Sequence, residues 1–231
     1  MEFFEVIAKR RSIRRFTETP FPEEFIERAL SAALLAPNSS NVQTWDFHWI
    51  NTAEAKRKVV HACINQSAAR TASQIVVISA DPGKWRRSHG PLIKYVNEAK
   101  APKMVLDYYG KLVPFVYRWG IFNSIAPVKF LVSAAMFHKP YARGPFTRRG
   151  LQEVAIKSAA LAAENFVLAI TAQGGATCMM EGFDEWRMRR ILKLKSSARV
   201  VMAIAIGYEA SERATWGPQF RLPLEDVVTK Y

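Results

Sequence analysis

Four short stretches of the chain carry side chains able to hold or orient a ligand. The first is Arg10-Arg11-Ser12-Ile13-Arg14-Arg15-Phe16. In an extended segment, Arg10, Ser12 and Arg14 point the same way. Two guanidinium groups then flank one hydroxyl. That set suits a phosphate, because Arg gives forked charge-assisted hydrogen bonds and Ser adds a neutral donor. Arg11, at the junction with the preceding helix, can also reach in. Read alone, the same residues fit a solvated basic patch after a helix better than a ligand site.

The second stretch, Ala36-Pro37-Asn38-Ser39-Ser40-Asn41-Val42-Gln43-Thr44-Trp45, sets amides and hydroxyls between a helix and a strand. Amides both donate and accept, so they can meet the edge of a polar heterocycle; an ordinary connecting loop is the alternative. The third is Cys178-Met179-Met180-Glu181-Gly182-Phe183-Asp184. Gly182 allows backbone to approach a ligand closely, and the alternative is a turn that starts a helix. The fourth is Gly217-Pro218-Gln219-Phe220-Arg221-Leu222-Pro223, where Arg221 stands in an aperiodic tail.

Other chemistries find less support. The histidines, His48, His61, His89 and His138, show no metal-ligand spacing, so no metal is expected. Cys63 and Cys178 form no CxxC pair. There is no GxGxxG, so no separate dinucleotide-binding unit is expected.

The elements that must position these residues follow from periodicity. Glu2 to Arg10 reads as a short helix and Glu23 to Leu35 as a second, ended by Pro37. Trp45, Phe47 and Trp49 alternate with polar residues as a half-buried strand. Thr52 is placed to cap a helix running to His61. Ile75 to Ile78 reads as a buried central strand, and Val200 to Ile206 as another, ended by Gly207. Leu151 to Gln173 is apolar on most faces and alanine-rich, a buried helix stopped by Gly174-Gly175. Asp184 to Leu194 reads as a basic amphipathic helix with Trp186, Ile191 and Leu192 inward. Residues 82–147 are expected to hold one or two helices in a long excursion, and the tail from Ala210 wraps over another surface. The mixture is α+β without strict βαβ alternation, so a doubly wound sheet is disfavoured.

The chain has 231 residues, 49% hydrophobic and 23% charged, enough for one large domain or two small ones. Its acidic start lacks a secretory pattern, so a reducing cytoplasm is expected. Met104 to Phe137 is apolar but interrupted by Pro114, Arg118, Pro127 and Lys129. No run there reaches the roughly 18 residues of a spanning helix, and no membrane insertion is expected. The net charge of +13 implies an anionic partner without choosing it.

In order and spacing, the four stretches together resemble the nitroreductase family over essentially the whole chain. The N-terminal segment is similar to the family's R-x-S-x-[RK]-x-F, and Asn38 to Trp45 to its P-S-S-x-N-x-Q-P-W loop. Met180 to Asp184 resembles its hinge at the flavin, and Phe220 to Pro223 its late R-L-P. Thr44 and Met179 stand where prolines are common, Asn38 replaces a serine, and Gln219 stands where some members have lysine.

The resemblance implies a single α+β domain over residues 1–231. Its small, mostly antiparallel sheet is flanked by helices, and residues 82–147 form the variable helical excursion. It implies an intertwined homodimer with FMN at the interface and the 151–173 helix as dimer core. Arg10, Ser12 and Arg221, with Arg11 assisting, would hold the FMN phosphate and ribityl end. Arg14 would lie near the pyrimidine edge of the ring. Pro37, Asn38, Ser39 and Asn41 would come from the partner subunit, and Asn65 would face the flavin edge. Met180, Glu181 and Gly182 would form the hinge, whose backbone N–H groups meet the N5 region. Tyr108, Tyr109, Phe115, Tyr117, Trp119 and Phe122 are candidates to cover the flavin, or else core residues.

The implied activity is hydride transfer from NADH or NADPH through FMN to a small acceptor such as a nitroaromatic or quinone, with no catalytic side chain. A specialised reaction on the same fold, reductive dehalogenation or flavin breakdown, is the alternative. A basic nucleic-acid or anionic-surface binding protein is a further one, suggested by Lys84-Trp85-Arg86-Arg87, Arg148-Arg149 and the Arg187 to Lys195 cluster. No recognised nucleic-acid motif accompanies those clusters.

Overall fold

The computed structural model describes residues 2–140 and 142–231. A four-stranded, wholly antiparallel sheet is ordered β1-β2-β4-β3. Its strands are β1 (Trp45–Ile50), β2 (Gln74–Ala80), β3 (Ala176–Met180) and β4 (Arg199–Gly207). Helices α1 (Phe3–Lys9) and α2 (Glu23–Leu34) precede β1, while α3 (Ala53–Ala62) and α4 (Ser67–Thr71) lead to β2.

The central strand shows why its β-branched run is continuous. Val76 and Ile78 pack with Ile26, Ala29 and Ala33 of α2 on one face. Ile75 and Val77 pack with Val59 and Ala62 of α3 on the other. Both faces are covered, so no polar alternation is needed. In β4, Met202, Ile204 and Ile206 serve the first face and the smaller Ala203 and Ala205 the second.

The long helix α9 (Arg148–Ala172) is the main support of the first face. Thr147 caps it by accepting from the Gly150 amide at 3.1 Å. Ala155, Ala159, Ala162 and Ala163 are buried and let α2 approach closely. The buried stripe covers one side only. By length and composition α9 is apolar enough to cross a membrane, and half of that window is buried inside the protein. Gly174 (φ +82°) ends the helix. At Gly175 an added Cβ would lie 2.6 Å from the Phe21 ring, so the backbone there is part of the packing surface.

Helix α10 (Glu185–Ile191) is capped by Asp184, which accepts from the Arg187 amide at 3.0 Å. The inward orientation expected of Trp186 is corrected. Its ring is 65% exposed with the Arg190 guanidinium 4.6 Å from its centroid, and Met188 takes the buried position. Ile191 and Leu192 do pack inward. Strand β3 is an element that periodicity did not mark.

The excursion is also richer than one or two helices. It holds α5 (Trp85–Glu98), α6 (Lys103–Asp107), a π-turn over Tyr108–Leu112, α7 (Val113–Tyr117) and α8 (Ala126–Ala135). Trp85, Val113 and Tyr117 form a small core with Val42 and Leu151, against which Tyr109 and Trp119 pack. Phe122 is fully exposed.

Candidate active site

The segment from Arg10 to Phe16 is extended, and two neighbours hold it. The Ile13 amide donates to the Thr177 carbonyl at 2.8 Å, so Ser12 bridges to the edge of β3. On the other side the Arg14 amide donates to the Ala214 carbonyl at 2.7 Å, and Arg11 Nη2 donates to the Gly217 carbonyl at 2.9 Å. Ile13 and Phe16 are buried and fix the register. A one-residue slip would turn the arginines inward.

This arrangement places Arg10, Arg11, Ser12 and Arg14 around one cavity of 410 Å³, together with Thr215, Trp216 and Arg221 from the tail. Residues from opposite ends of the chain thus share one basic hollow. Arg10 has a long ion pair with Glu164 of α9 at 3.8 Å. Among the described residues, the Arg14 guanidinium has no carboxylate partner. A second cavity of 440 Å³ shares Ser12 and Arg14 and is lined by Gln66, Ser67, Cys178, Met180 and Glu181. The two hollows make one cleft, cationic at one end and bounded by amide, thioether and backbone at the other.

Gln66 Nε2 donates to the Gly182 carbonyl at 2.5 Å and ties the α3–α4 turn to the hinge after β3. That turn carries two consecutive left-handed residues, Ile64 (φ 57°) and Asn65 (φ 53°). Asn tolerates this conformation, whereas a β-branched Ile is strained there by about 1–3 kcal/mol. Asn65 itself is exposed and lines neither hollow; its neighbour Gln66 does. Burial pushes the Cys178 thiol up, an effect Arg14 partly opposes, so the thiol form prevails beside the cleft.

Pro37, Asn38, Ser39 and Asn41 line neither hollow. Asn38 Oδ1 accepts from the Gln43 amide at 2.9 Å, which shapes the loop. The Ser39 amide meets Ser158 of α9 at 3.4 Å, and Ser40 shares a hydrogen bond with the Tyr108 hydroxyl at 2.8 Å. Trp216, Gln66 and Ser67 are cleft residues that pattern reading did not single out. Gln66 adjoins Asn65, but nothing in the periodicity distinguishes the two.

A larger hollow of 800 Å³ lies elsewhere, lined by Arg15, Lys56, Arg70 and Glu212 among others. It gathers none of the expected site residues, and two carboxylates, Glu18 and Glu212, stand among its cations.

The fold is thus an α+β sheet-and-helix sandwich with a cationic cleft beside its edge strand β3. The chain belongs to the nitroreductase family, whose model matches residues 7–208. A Streptococcus pyogenes protein bearing the name NAD(P)H nitroreductase is 24% identical over 230 residues, covering 100% of both chains. A Thermus thermophilus protein named NADH dehydrogenase is 28% identical over 220 residues, covering 95% of this chain and 91% of its own. A solved Exiguobacterium sibiricum protein in complex with FMN superposes with a TM-score of 0.74 at 21% identity, covering 100% of this chain and 98% of that one.

Proposed function

We propose that the cleft holds FMN and that the protein is an NAD(P)H-dependent oxidoreductase reducing a small acceptor such as a nitroaromatic or quinone. The observation that carries this reading is the convergence of Arg10, Ser12, Arg14 and Arg221 on one cavity. The donor set fits the cofactor. Guanidinium groups and a hydroxyl match a phosphate dianion, and the Gln66 amide in the adjoining hollow suits the edge of a heterocycle. When bound, FMN accepts a hydride from a reduced nicotinamide and passes electrons on. The protein's part is placement and electrostatics. Arg10, Ser12 and Arg221 anchor the phosphate end, with Arg11 assisting. Arg14 lies where both hollows meet and offsets negative charge as it develops. The Glu181 amide, at the wall of the second hollow, and the Gly182 amide beside it would donate to the ring edge. Met180 lines the wall.

The second part of the proposal is a homodimer. Pro37, Asn38, Ser39 and Asn41 would reach a bound cofactor from a second copy. The outward apolar residues Phe3, Phe4, Leu34, Leu35 and Leu161 support it. Both cysteines are buried and free, which suits a reducing cytoplasm.

The deciding experiment is the visible spectrum of the purified protein, followed by anaerobic addition of NADH or NADPH. Flavin bands that bleach are the expected result. Flavin bands that stay would favour a specialised reaction with another reductant. A colourless protein that takes up no added FMN would overturn the proposal.

A further inference from the structure

Helix α8 is amphipathic in the inverted sense. Its polar side chains, Lys129 and Ser133, are 3% and 4% exposed, while Val128, Phe130 and Leu131 face outward. Specific bonds enforce this orientation. Lys129 Nζ donates to the Val116 carbonyl at 2.6 Å, and Arg143 Nη1 donates to the Ser133 carbonyl at 2.5 Å. Beside the helix, Ile121 and Phe137 are each 77% exposed and Phe122 is 100% exposed. Phe122 sits at φ 51°, so the turn holds the ring outward with a backbone that an aromatic residue rarely adopts. A contiguous apolar patch of this kind on a charged protein marks an interaction surface.

The charge around the patch points to the occupant. From Tyr108 to Gln152 there is no Asp or Glu, while there are seven Lys and Arg, more than half of the net +13. Arg118, Lys139 and Arg149 are exposed there. Outward apolar rings beside Arg118, Lys139 and Arg149, which have no carboxylate partner among the described residues, match a surface with an apolar interior and an anionic face. An isologous contact of this patch with its own copy is a poorer match, since it would set the same cations against each other. The other outward apolar surface, on α1 and α2, also lies elsewhere. It meets α9 near Glu164 and Asn165, through Arg10 and the Ala32 carbonyl. The α8 patch meets the start of α9, where Asn123 accepts from the Arg148 amide. Sixteen residues of helix separate these points, about 24 Å.

We propose that α8 and the Ile121–Phe122 turn seat the protein peripherally on an anionic phospholipid bilayer. Phe122, Phe130 and Leu131 enter the boundary between headgroups and acyl chains, and Arg118, Lys139 and Arg149 meet lipid phosphates. The inference stands on the excursion alone and is independent of what the cleft binds.

The test is co-sedimentation of the full chain with vesicles of phosphatidylcholine and phosphatidylglycerol, against vesicles of phosphatidylcholine alone. The expected result is binding to the mixed vesicles only, weakened by added salt. The double variant Phe122→Ser/Leu131→Ser changes two exposed side chains and should weaken binding at least about tenfold. Lys139→Gln should weaken it about fivefold. As an exposed charge change, it keeps the test decisive should the double variant melt early. Three results would each overturn the proposal. One is failure to bind the mixed vesicles. Another is equal binding by the double variant, which would reduce the effect to bulk charge. The third is a double variant that loses self-association in sedimentation velocity while its vesicle binding is unchanged, which would assign the patch to a second copy.

Discussion

Alternate residues of the N-terminal segment have different surroundings, and that separates their expected effects. Arg14 lines both parts of the cleft, whereas Arg15 lines the separate hollow beside Lys56 and Arg70. Arg14→Ala and Arg221→Ala should each weaken FMN binding about ten- to hundredfold, the range of a lost charge-assisted hydrogen bond. Arg15→Ala should leave it within about twofold. Fluorescence titration of the apoprotein measures this, and equal losses at Arg14 and Arg15 would reduce the effect to net charge. His48 carries a second residue-scale prediction. Burial lowers its pKa below the ordinary 6.5, and its Nε2 meets Ser79 Oγ at 2.8 Å. The folded state therefore takes up the proton less readily than the unfolded chain. Its contribution to stability is complete above about pH 6.5 and is lost as pH falls through the lowered folded value. Melting curves of wild type and His48→Gln should diverge from neutrality towards about pH 5, with the wild type losing more. Parallel curves would show that His48 does not titrate with unfolding.

At the scale of elements, legibility followed the clarity of the period. Thr52 has the residue type and position of a cap, and its side chain accepts from the Ala55 amide at 3.2 Å. The run Ile75 to Ile78 was read as a buried central strand, and it is one. Strand β3 was not read, because Ala176–Met180 is short and lacks β-branched alternation; β4 and the Ser12 bridge make it a strand. Pattern alone points Trp186 inward, as large apolar rings usually are, but Met188 already fills that side. In residues 82–147 the prolines and aromatics mask any single period, so the succession of short helices was hidden. The Gly174-Gly175 stop has a consequence beyond chain reversal. Gly175→Ala would drive a methyl group into Phe21 and Ile170. It should destabilise by about 1–3 kcal/mol. Urea unfolding checks this, and a midpoint at the wild-type value would mean that the ring moves aside freely.

For the whole molecule, the outward side of α9 and the exposed α1 surface set the expected assembly. Sedimentation velocity should give a dimer. Leu161, half exposed on α9, should be part of its contact. Leu161→Glu should shift the protein towards monomer and lower FMN retention together, because the cleft is completed by the second copy in the proposed arrangement. Loss of assembly with full FMN affinity would show that one chain suffices to hold the cofactor.

Residue types and their spacing determined the basic, donor-rich character of the Arg10–Arg14 segment, the long helix and its stop, and the two central strands. Those are local properties, set by backbone period and side-chain chemistry. Only the tertiary structure decided that Arg221 joins Arg14 in one hollow while Arg15 faces another. It also decided that Gln66 reaches the cleft instead of Asn65, and that α8 turns its lysine in and its phenylalanine out. Each of those outcomes depends on which distant backbone supplies the hydrogen bonds: Thr177 and Ala214 for the arginines, Gly182 for Gln66, Val116 for Lys129. No local period encodes such a partner, because it is brought near only when the chain closes on itself.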